Sequence, residues 1–583
     1  MARFEAMVHV RLIGPPAIEG SDGERREVRG LKPWAVLARL LLADRPLTRR
    51  ELSAELFPDA DDPLGSLRWC LAALRKALGS PDLFTGDPVR CDLPAWVTVD
   101  VLALSTGTGG LPGQGEFLEG VDTRCGPEFS AWLLITRQQL AARIDALLRE
   151  QTITALGRGD ATAAIDLAQR CVQRAPFDEG GHVLLVKSLV AAGFHQAALD
   201  HVGAVEECFR RDLGSEPSPA LRSAARGHVG EPPPGVSAAT VVATLLESGR
   251  AALVAGAVDA GVDCLRQAAA RAENAGDDVL LAMCLYELGT ALVHSVRGFD
   301  DEGAILLEQA SQVALGAGDA PTAAAALRER GYADALAGRR PEADHHLDAA
   351  QALAGGDTRL LAGIHTVAAF NLCDWGRYDQ GLARYEQAID VARIAGERQR
   401  EAWALGLGGW ALIAAARPTD AVEWLNRSLS LVRELRWRTF EPWPLAALAE
   451  AHLAARQDEL SSQADLERCF ALSCQLQDPC WEGASGRVIA LHYASQRDHA
   501  SALRWITDAR TRCVRKTDTW AGMLGTILLT EAELRCAAGD LLGADAAARE
   551  FVAFAARTHL NALLPRGVAI LSKQQHGVPS ADR

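Results

Sequence analysis

Residues 159–202, GDATAAIDLAQRCVQRAPFDEGGHVLLVKSLVAAGFHQAALDHV, decide how most of this chain is read. The words GDATAAI, from Gly159, and GFHQAAL, from Gly193, stand 34 residues apart, the period of a helix-turn-helix unit that stacks on its neighbours. Further on, helix-ending dipeptides recur about 40 residues apart: Gly276-Asp277, Gly318-Asp319, Gly356-Asp357, Gly396-Glu397, Arg436-Trp437, Gln477-Asp478 and Thr517-Asp518. Internal turns fall between them, at Gly256, Gly298, Gly338, Gly376, near Pro418, near Gln496 and at Gly539. The spacing predicts about eight hairpins over residues 241–575, stacked into a superhelix with a long concave surface. The Pro-rich stretch GEPPPGVSAAT, residues 230–240, reads as a stiff linker ahead of them.

Composition agrees with a mainly α protein of several domains. Of 583 residues 49% are hydrophobic but only 5% aromatic, and Ala and Leu dominate after residue 130, as in packed small-residue helices. The apolar run Ala402–Ala416 is too short to span a bilayer, and the N-terminus has no secretory pattern. A soluble cytoplasmic protein is expected. The 13 cysteines stand singly, without CxxC pairs or metal-ligand spacing, and read as small buried residues in a reducing compartment. A net charge of −15 argues against coating nucleic acid along the whole length. Residues 1–104, with about 14 basic and 15 acidic side chains, are nearly neutral and leave room for a local DNA-binding module.

In that head, VHVRLIG alternates like a half-buried strand and Asp22-Gly23 turns the chain into a small sheet. Pro33 opens a helix with Val36, Leu37, Leu40 and Leu41 inward. Thr48 and Glu51 form a capping box for a second helix, which Phe57-Pro58 ends. A third helix starts with Asp62 as N-cap and Pro63 in the first turn, burying Leu67, Leu71, Leu74 and Leu78. Its outward positions are Gly65, Trp69, Ala72, Ala73 and Lys76, flanked by Arg68 and Arg75. A hairpin is expected from Leu83 through Arg90 to WVTVDV. This order makes a winged helix-turn-helix over residues 1–104, with the third helix in the major groove.

The segments RLIGPPAIE, LTRRELSAELFPD, SLRWCLAALRKALG and LPAWVTVDV resemble the OmpR-type winged helix that opens Streptomyces antibiotic regulatory proteins. After a Gly-rich break from Gly107, FLEGVDTRCGPEFSAWLLITRQQLAARIDALL reads as a turn and a long amphipathic helix. APFDEGGHVLLVKSLVAAGFHQAALDHV and RRDLGSEPSPALR then resemble the bacterial transcriptional activator domain, here spanning residues 105–229. The tandem implies transcription activation, promoter DNA and RNA polymerase as partners, and a homodimer. In relatives the loop between the second and third head helices, here Pro58 to Asp62, touches the polymerase; a solvated turn is the other reading of its three aspartates. The 40-residue units resemble MalT-like tetratricopeptide arrays, which implies sensing of an inducer or a protein.

The candidate DNA-binding residues are Arg49 and Arg50 on the second helix, Arg68, Trp69, Arg75 and Lys76 on the third, and Arg90 in the wing, since Arg and Lys hold phosphates and guanine edges. Ala72 and Ala73 stand where related proteins place a polar or basic pair. That small apolar centre, with Trp69 beside it, fits a protein interface as well. In the array, Trp403, Trp443, Trp481 and Trp520 are spaced 40, 38 and 39 residues. Two readings stay open: an aromatic groove for a small molecule or peptide, with Trp375 and Trp410 joining it, or a repeat core site filled by a large side chain. His345-His346 lacks a third ligand in spacing, so no metal is expected. No GxxxxGK[ST], GxSxG, HExxH or dinucleotide fingerprint occurs, so neither an enzyme nor a cofactor is expected, and the ATPase module of some large relatives is missing. The alternative function is a scaffold that does not bind DNA and uses its winged helix as an interaction surface.

Overall fold

A computed structural model describes residues 7–575 except 22–23, 44, 107–112, 114, 122–124, 213, 215, 218, 226–237, 255–257, 296–297, 436, 457–462 and 477. The turn at Asp22-Gly23, most of the Gly-rich break, the Pro-rich linker up to residue 237, the turn at Gly256, and Arg436 and Gln477 therefore lie outside the described residues. The chain divides into two compact units, Met1–Leu147 and Leu148–Arg583.

The first unit has strands β1 (Val8–Arg11), β2 (Ala17–Gly20) and β3 (Arg25–Arg26), helices α1 (Lys32–Leu41), α2 (Arg49–Leu56) and α3 (Pro63–Leu78), strand β4 (Val97–Val99), helix α4 (Asp100–Thr106) and the first part of α5 (Pro127–Gly157). The local signals do what chemistry asks of them. The capping box forms: Glu51 N–H donates to Thr48 Oγ1 at 3.2 Å, and Thr48 N–H donates to the Glu51 carboxylate at 2.7 Å. Asp62 caps α3 by accepting from Gly65 N at 2.8 Å, and Gly79, at φ 72°, ends it. Leu67, Cys70, Leu71, Leu74 and Leu78 bury one stripe of α3.

The expected hairpin is corrected. Between Leu83 and Arg90 the chain is a loop closed by one bridge, Thr85 to Arg90, and Val97–Val99 pairs in parallel with β1, giving the sheet order β3-β2-β1-β4. Val97 and Val99 are buried at β1, in register with Val8 and Val10. The Asp100 carboxylate fixes that crossing by accepting from the N–H groups of Leu12 and Ile13 at 2.9 Å. The start of α5 joins the head: Arg137 donates to the carbonyls of Phe117 and Leu118 at 2.9 and 3.0 Å, and Trp132 packs near Phe117 and Phe129.

The second unit continues α5 and adds α6 (Ala161–Arg174), α7 (Glu179–Ala191), α8 (His195–Asp212) and α9 (Pro219–Ala224). Sixteen helices then pair as hairpins: α10 (Ala238–Val254) with α11 (Val258–Ala275), α12 (Asp278–Ser295) with α13 (Asp300–Gly316), α14 (Ala320–Ala337) with α15 (Arg340–Ala354), and α16 (Thr358–Asp374) with α17 (Tyr378–Ile394). They continue as α18 (Arg398–Ala414) with α19 (Pro418–Glu434), α20 (Pro442–Ala454) with α21 (Gln463–Leu476), α22 (Pro479–Ser495) with α23 (His499–Cys513), and α24 (Ala521–Ala537) with α25 (Leu541–Arg557). Helix α26 (Leu564–Gln575) follows and packs on α25 and α24.

The Gly-Asp dipeptides at 276–277, 318–319 and 356–357 are joints between hairpins: Gly318, at φ 76°, ends α13, and Asp319 caps α14 by accepting from Thr322 N. Within hairpins small residues set the approach; a Cβ on Gly289 of α12 would stand 2.7 Å from Leu307 and 3.1 Å from the Gly303 carbonyl of α13. The array also curls back on itself. Trp520 Nε1, at the start of α24, donates to Asp374 of α16 at 2.8 Å, and the buried Arg340 of α15 pairs with the same carboxylate at 3.2 Å. Among the described residues no helix is long and apolar enough to cross a membrane, and all cysteines are free thiols, with Cys70, Cys284, Cys373, Cys469, Cys480 and Cys513 buried.

Candidate DNA-facing surface and array wall

On α3 the residues opposite the buried stripe are Leu64, Arg68, Trp69, Ala72 and Lys76, all exposed, with Trp69 at 55%. Arg68 reaches Asp62 only at 3.5 Å, with both side chains mostly in water, which leaves its guanidinium available. Arg50, at the start of α2, and Arg90, at the loop bridge, are exposed as well. Two of the predicted seven are engaged differently. Arg75 donates to the carbonyls of Leu83 and Phe84 at 2.7 and 3.0 Å, and Arg49 to those of Gly86 and Phe84 at 3.1 and 3.2 Å. These two guanidinium groups hold the loop after α3 by its own backbone, occupying carbonyls that a longer hairpin ladder would use. In the loop between α2 and α3, Asp59 and Asp61 are exposed and Asp62 is the cap of α3.

Trp410, Trp443, Trp481 and Trp520 form one packed file rather than an open groove. Trp520 lies 5.0 Å from Trp443, 5.1 Å from Trp410 and 5.2 Å from Phe370, and Trp443 lies 5.2 Å from Trp481, ring centre to ring centre. Trp443 and Trp520 are 1% and 3% exposed. Their indole N–H groups are satisfied inside, Trp443 by the Gly406 carbonyl at 3.0 Å and Trp520 by Asp374. The regular spacing hides unequal positions: Trp403 stands six residues into α18, Trp443 and Trp481 in the first turns of α20 and α22, and Trp520 before α24. Trp403 and Trp410 remain partly exposed, whereas Trp375 lies apart, under Arg377 at 3.9 Å and 6.2 Å from His559.

Sequence reasoning missed a buried ionic network that links the end of α5 to α13, α14 and α15. Arg330, fully buried, donates to Glu308 at 2.8 Å and Glu150 at 2.5 Å, and lies 3.3 Å from His346 Nε2. His346 Nδ1 meets Asp334 at 3.1 Å, and Arg339 donates to Asp334 at 2.7 Å. Arg149 donates to Asp301 at 2.6 Å. Burial pushes the Glu150 carboxyl up, but the charges of Arg330 and His346 outweigh it and hold it at about 2. Burial and Arg330 push His346 down, and Asp334 and Glu150 more than reverse this, so its proton is held more firmly than usual.

Glu150, Glu308 and His346 bring one ligand atom each within 4.8 Å of one another. The guanidinium of Arg330 already sits among them as the cation, so this set does not fit a metal ion. Nothing in the primary order marks it, because a buried arginine on a helix reads like a surface one. A separate cleft of about 330 Å³ opens between α15 and α17, floored by Leu347, Ile364 and Leu372 and rimmed by Asp344 and Arg384.

Residues 114–227 match the family model of the bacterial transcriptional activator domain, and residues 360–434 match a tetratricopeptide repeat model. Among curated proteins no relative matches the chain. Similar solved structures include aspartyl phosphate phosphatase F from Bacillus subtilis, 11% identical with a TM-score of 0.38, covering 69% of this chain and 92% of that one. Another is a Rap protein complexed with competence and sporulation factor, 12% identical with a TM-score of 0.35, covering 74% and 99%. A third is Mycobacterium tuberculosis EmbR in complex with a low-affinity phosphopeptide, 20% identical with a TM-score of 0.29, covering 38% of this chain and 64% of that one. What the family models match is definite: this chain carries a bacterial transcriptional activator domain and, in its C-terminal array, tetratricopeptide repeats.

Proposed function

We propose that the protein is a cytoplasmic DNA-binding transcription activator whose repeat array receives a ligand or a protein partner. It works by binding and not by catalysis. The observation that carries this reading is the exposure of the basic groups Arg50, Arg68, Lys76 and Arg90 in the head, ahead of the activator domain in sequence. Exposed guanidinium and ammonium groups are what phosphate contact requires. Asp59 and Asp61 are the candidate contact to RNA polymerase, and a homodimer would pair two half-sites. Signal reception is a population shift: whatever binds the array favours one arrangement of the chain in proportion to its difference in affinity.

A second reading has its own observation. Leu64, Trp69 and Ala72 make the middle of the α3 face apolar, as on a protein-docking helix. Footprinting of the full chain on the DNA upstream of its own gene separates the two. A protected site lost in the Arg68→Ala, Lys76→Ala double variant supports the activator; no protection at low salt, with or without cell extract as a source of inducer, supports the scaffold.

A further inference from the structure

Four successive first helices of the array, each packed on the next, carry Tyr286 (α12), Arg328 (α14), Gly363 (α16) and Arg400 (α18). The bare Gly363 lets two guanidinium groups crowd the same place: a Cβ there would run into Arg400 Nη1 and stand 3.1 Å from Arg328 Nη1 and Cδ. Arg328 is buried and paired, donating through Nε to Glu329 at 2.8 Å and through Nη2 to Tyr286 Oη at 3.3 Å. His294 holds the other oxygen of Glu329 at 2.7 Å, so that carboxylate is fully used.

Arg400 is different. It is half-buried, and among the described residues its side chain has no hydrogen bond and no ion pair. The nearby Glu397 is taken by Arg359 at 2.5 Å. Burial and the Arg328 charge push the Arg400 guanidinium below its usual range, and Glu329 and Glu397 offset this only in part. Aromatic rings border the pair. Tyr332 follows Arg328 by four residues and Trp403 follows Arg400 by three, spacings that share a helix face. Their ring centres lie 5.7 Å apart, and His294 stacks on Tyr332 at 4.7 Å.

We infer that this cluster binds a small organic anion, its carboxylate or phosphate group seated between Arg328 and Arg400 and its planar body against Tyr332 and Trp403. The inference rests on reading the array as the receiving part of the protein, and it names where and what that part receives. A forked guanidinium matches either oxyanion in two-point geometry, and a flat apolar body suits the bordering rings. The other array candidates carry less: the Glu150, Glu308 and His346 set already holds its cation, and the cleft between α15 and α17 balances its own charges.

The test is titration of the full-length protein, without DNA, with indole-3-acetate, benzoate and inorganic phosphate, followed by calorimetry. Saturable binding of the aromatic carboxylates at about millimolar affinity is expected for probes of this size. Phosphate alone should bind more weakly. Arg400→Gln should weaken the aromatic probes at least tenfold while leaving the melting temperature unchanged or higher, since it removes an uncompensated charge. Gly363→Ala should weaken them by displacing Arg400.

Binding that is indifferent to Arg400→Gln, phosphate binding as tight as indole-3-acetate, or no saturable binding of any probe would overturn the inference. A fall in melting temperature on Arg400→Gln would equally mark Arg400 as structural. Because DNA is absent, failure of the head to bind a promoter leaves this result untouched, and failure here leaves the promoter test untouched.

Discussion

Helix α3 of the head and helix α14 of the array each carry two arginines, and the surroundings divide their roles. On α3, Arg68 stands in water with only a long contact to Asp62, and Arg75 ties down a neighbouring loop through its carbonyls. On α14, Arg328 and Arg330 are buried, each held by carboxylates. Helix α3 thus presents Arg68 to water while α14 locks both of its arginines inside, and Arg400 of α18, half-buried, stands between the two cases. Exposure and partners, not residue type, separate a binding arginine from a structural one.

The largest effect should come from Arg330→Ala, which leaves Glu150 and Glu308 buried without their cation. A loss of about 3–5 kcal/mol in urea unfolding is expected for a broken buried pair. Trp443→Ala should cost about as much, roughly 3–5 kcal/mol, because it empties the centre of the aromatic file. If that variant kept its stability and lost a ligand instead, the tryptophans would line a groove after all.

Acidity sharpens the same comparison. The folded array holds Glu150 at about 2, below its value in an unfolded chain, so its stabilising contribution is present at neutral pH and fades as pH falls from about 4.5 toward 2. His346 is raised, so its contribution is present below about 6.5 and is lost as pH rises through its folded value. Melting temperatures from pH 3 to 9 should therefore fall steeply at the acid end and decline gently at the alkaline end. A flat acid limb would remove the ionic network from the account. Smaller still, Arg75→Ala should cost about 1–2 kcal/mol through two lost carbonyl contacts, whereas Lys76→Ala, one residue along, should stay within about 0.5 kcal/mol of the parent.

Much of the fold was legible because its signals are local. The Thr48–Glu51 box, the Asp62 cap and the Gly318-Asp319 joint are decided within a few residues, and each forms. Partners across distance were not legible. Alternation in WVTVDV announces a strand but not its neighbour, and the strand turned out to pair with β1 in parallel. Even spacing of Trp403, Trp443, Trp481 and Trp520 suggested one shared position, but helix starts drift against the period, and Trp443 and Trp520 are core. That Arg50, Arg68, Trp69, Lys76 and Arg90 stand exposed was readable from one helix wheel and two turns. That Arg49 and Arg75 hold loop carbonyls was not, since those carbonyls come from a separate stretch of chain. Arg330 and Arg400 needed three or four helices to be brought together before their contrast existed.

The most direct test of the central claim is the salt dependence of full-length protein binding to its upstream DNA, for the parent chain and for Lys76→Ala. Specific binding is expected whose logarithm falls linearly with the logarithm of salt, with a slope shallower by about one for the variant and folding unchanged. Equal slopes for the two chains, or no specific binding at low salt with or without cell extract, would contradict it and leave the α3 face as a surface for another protein.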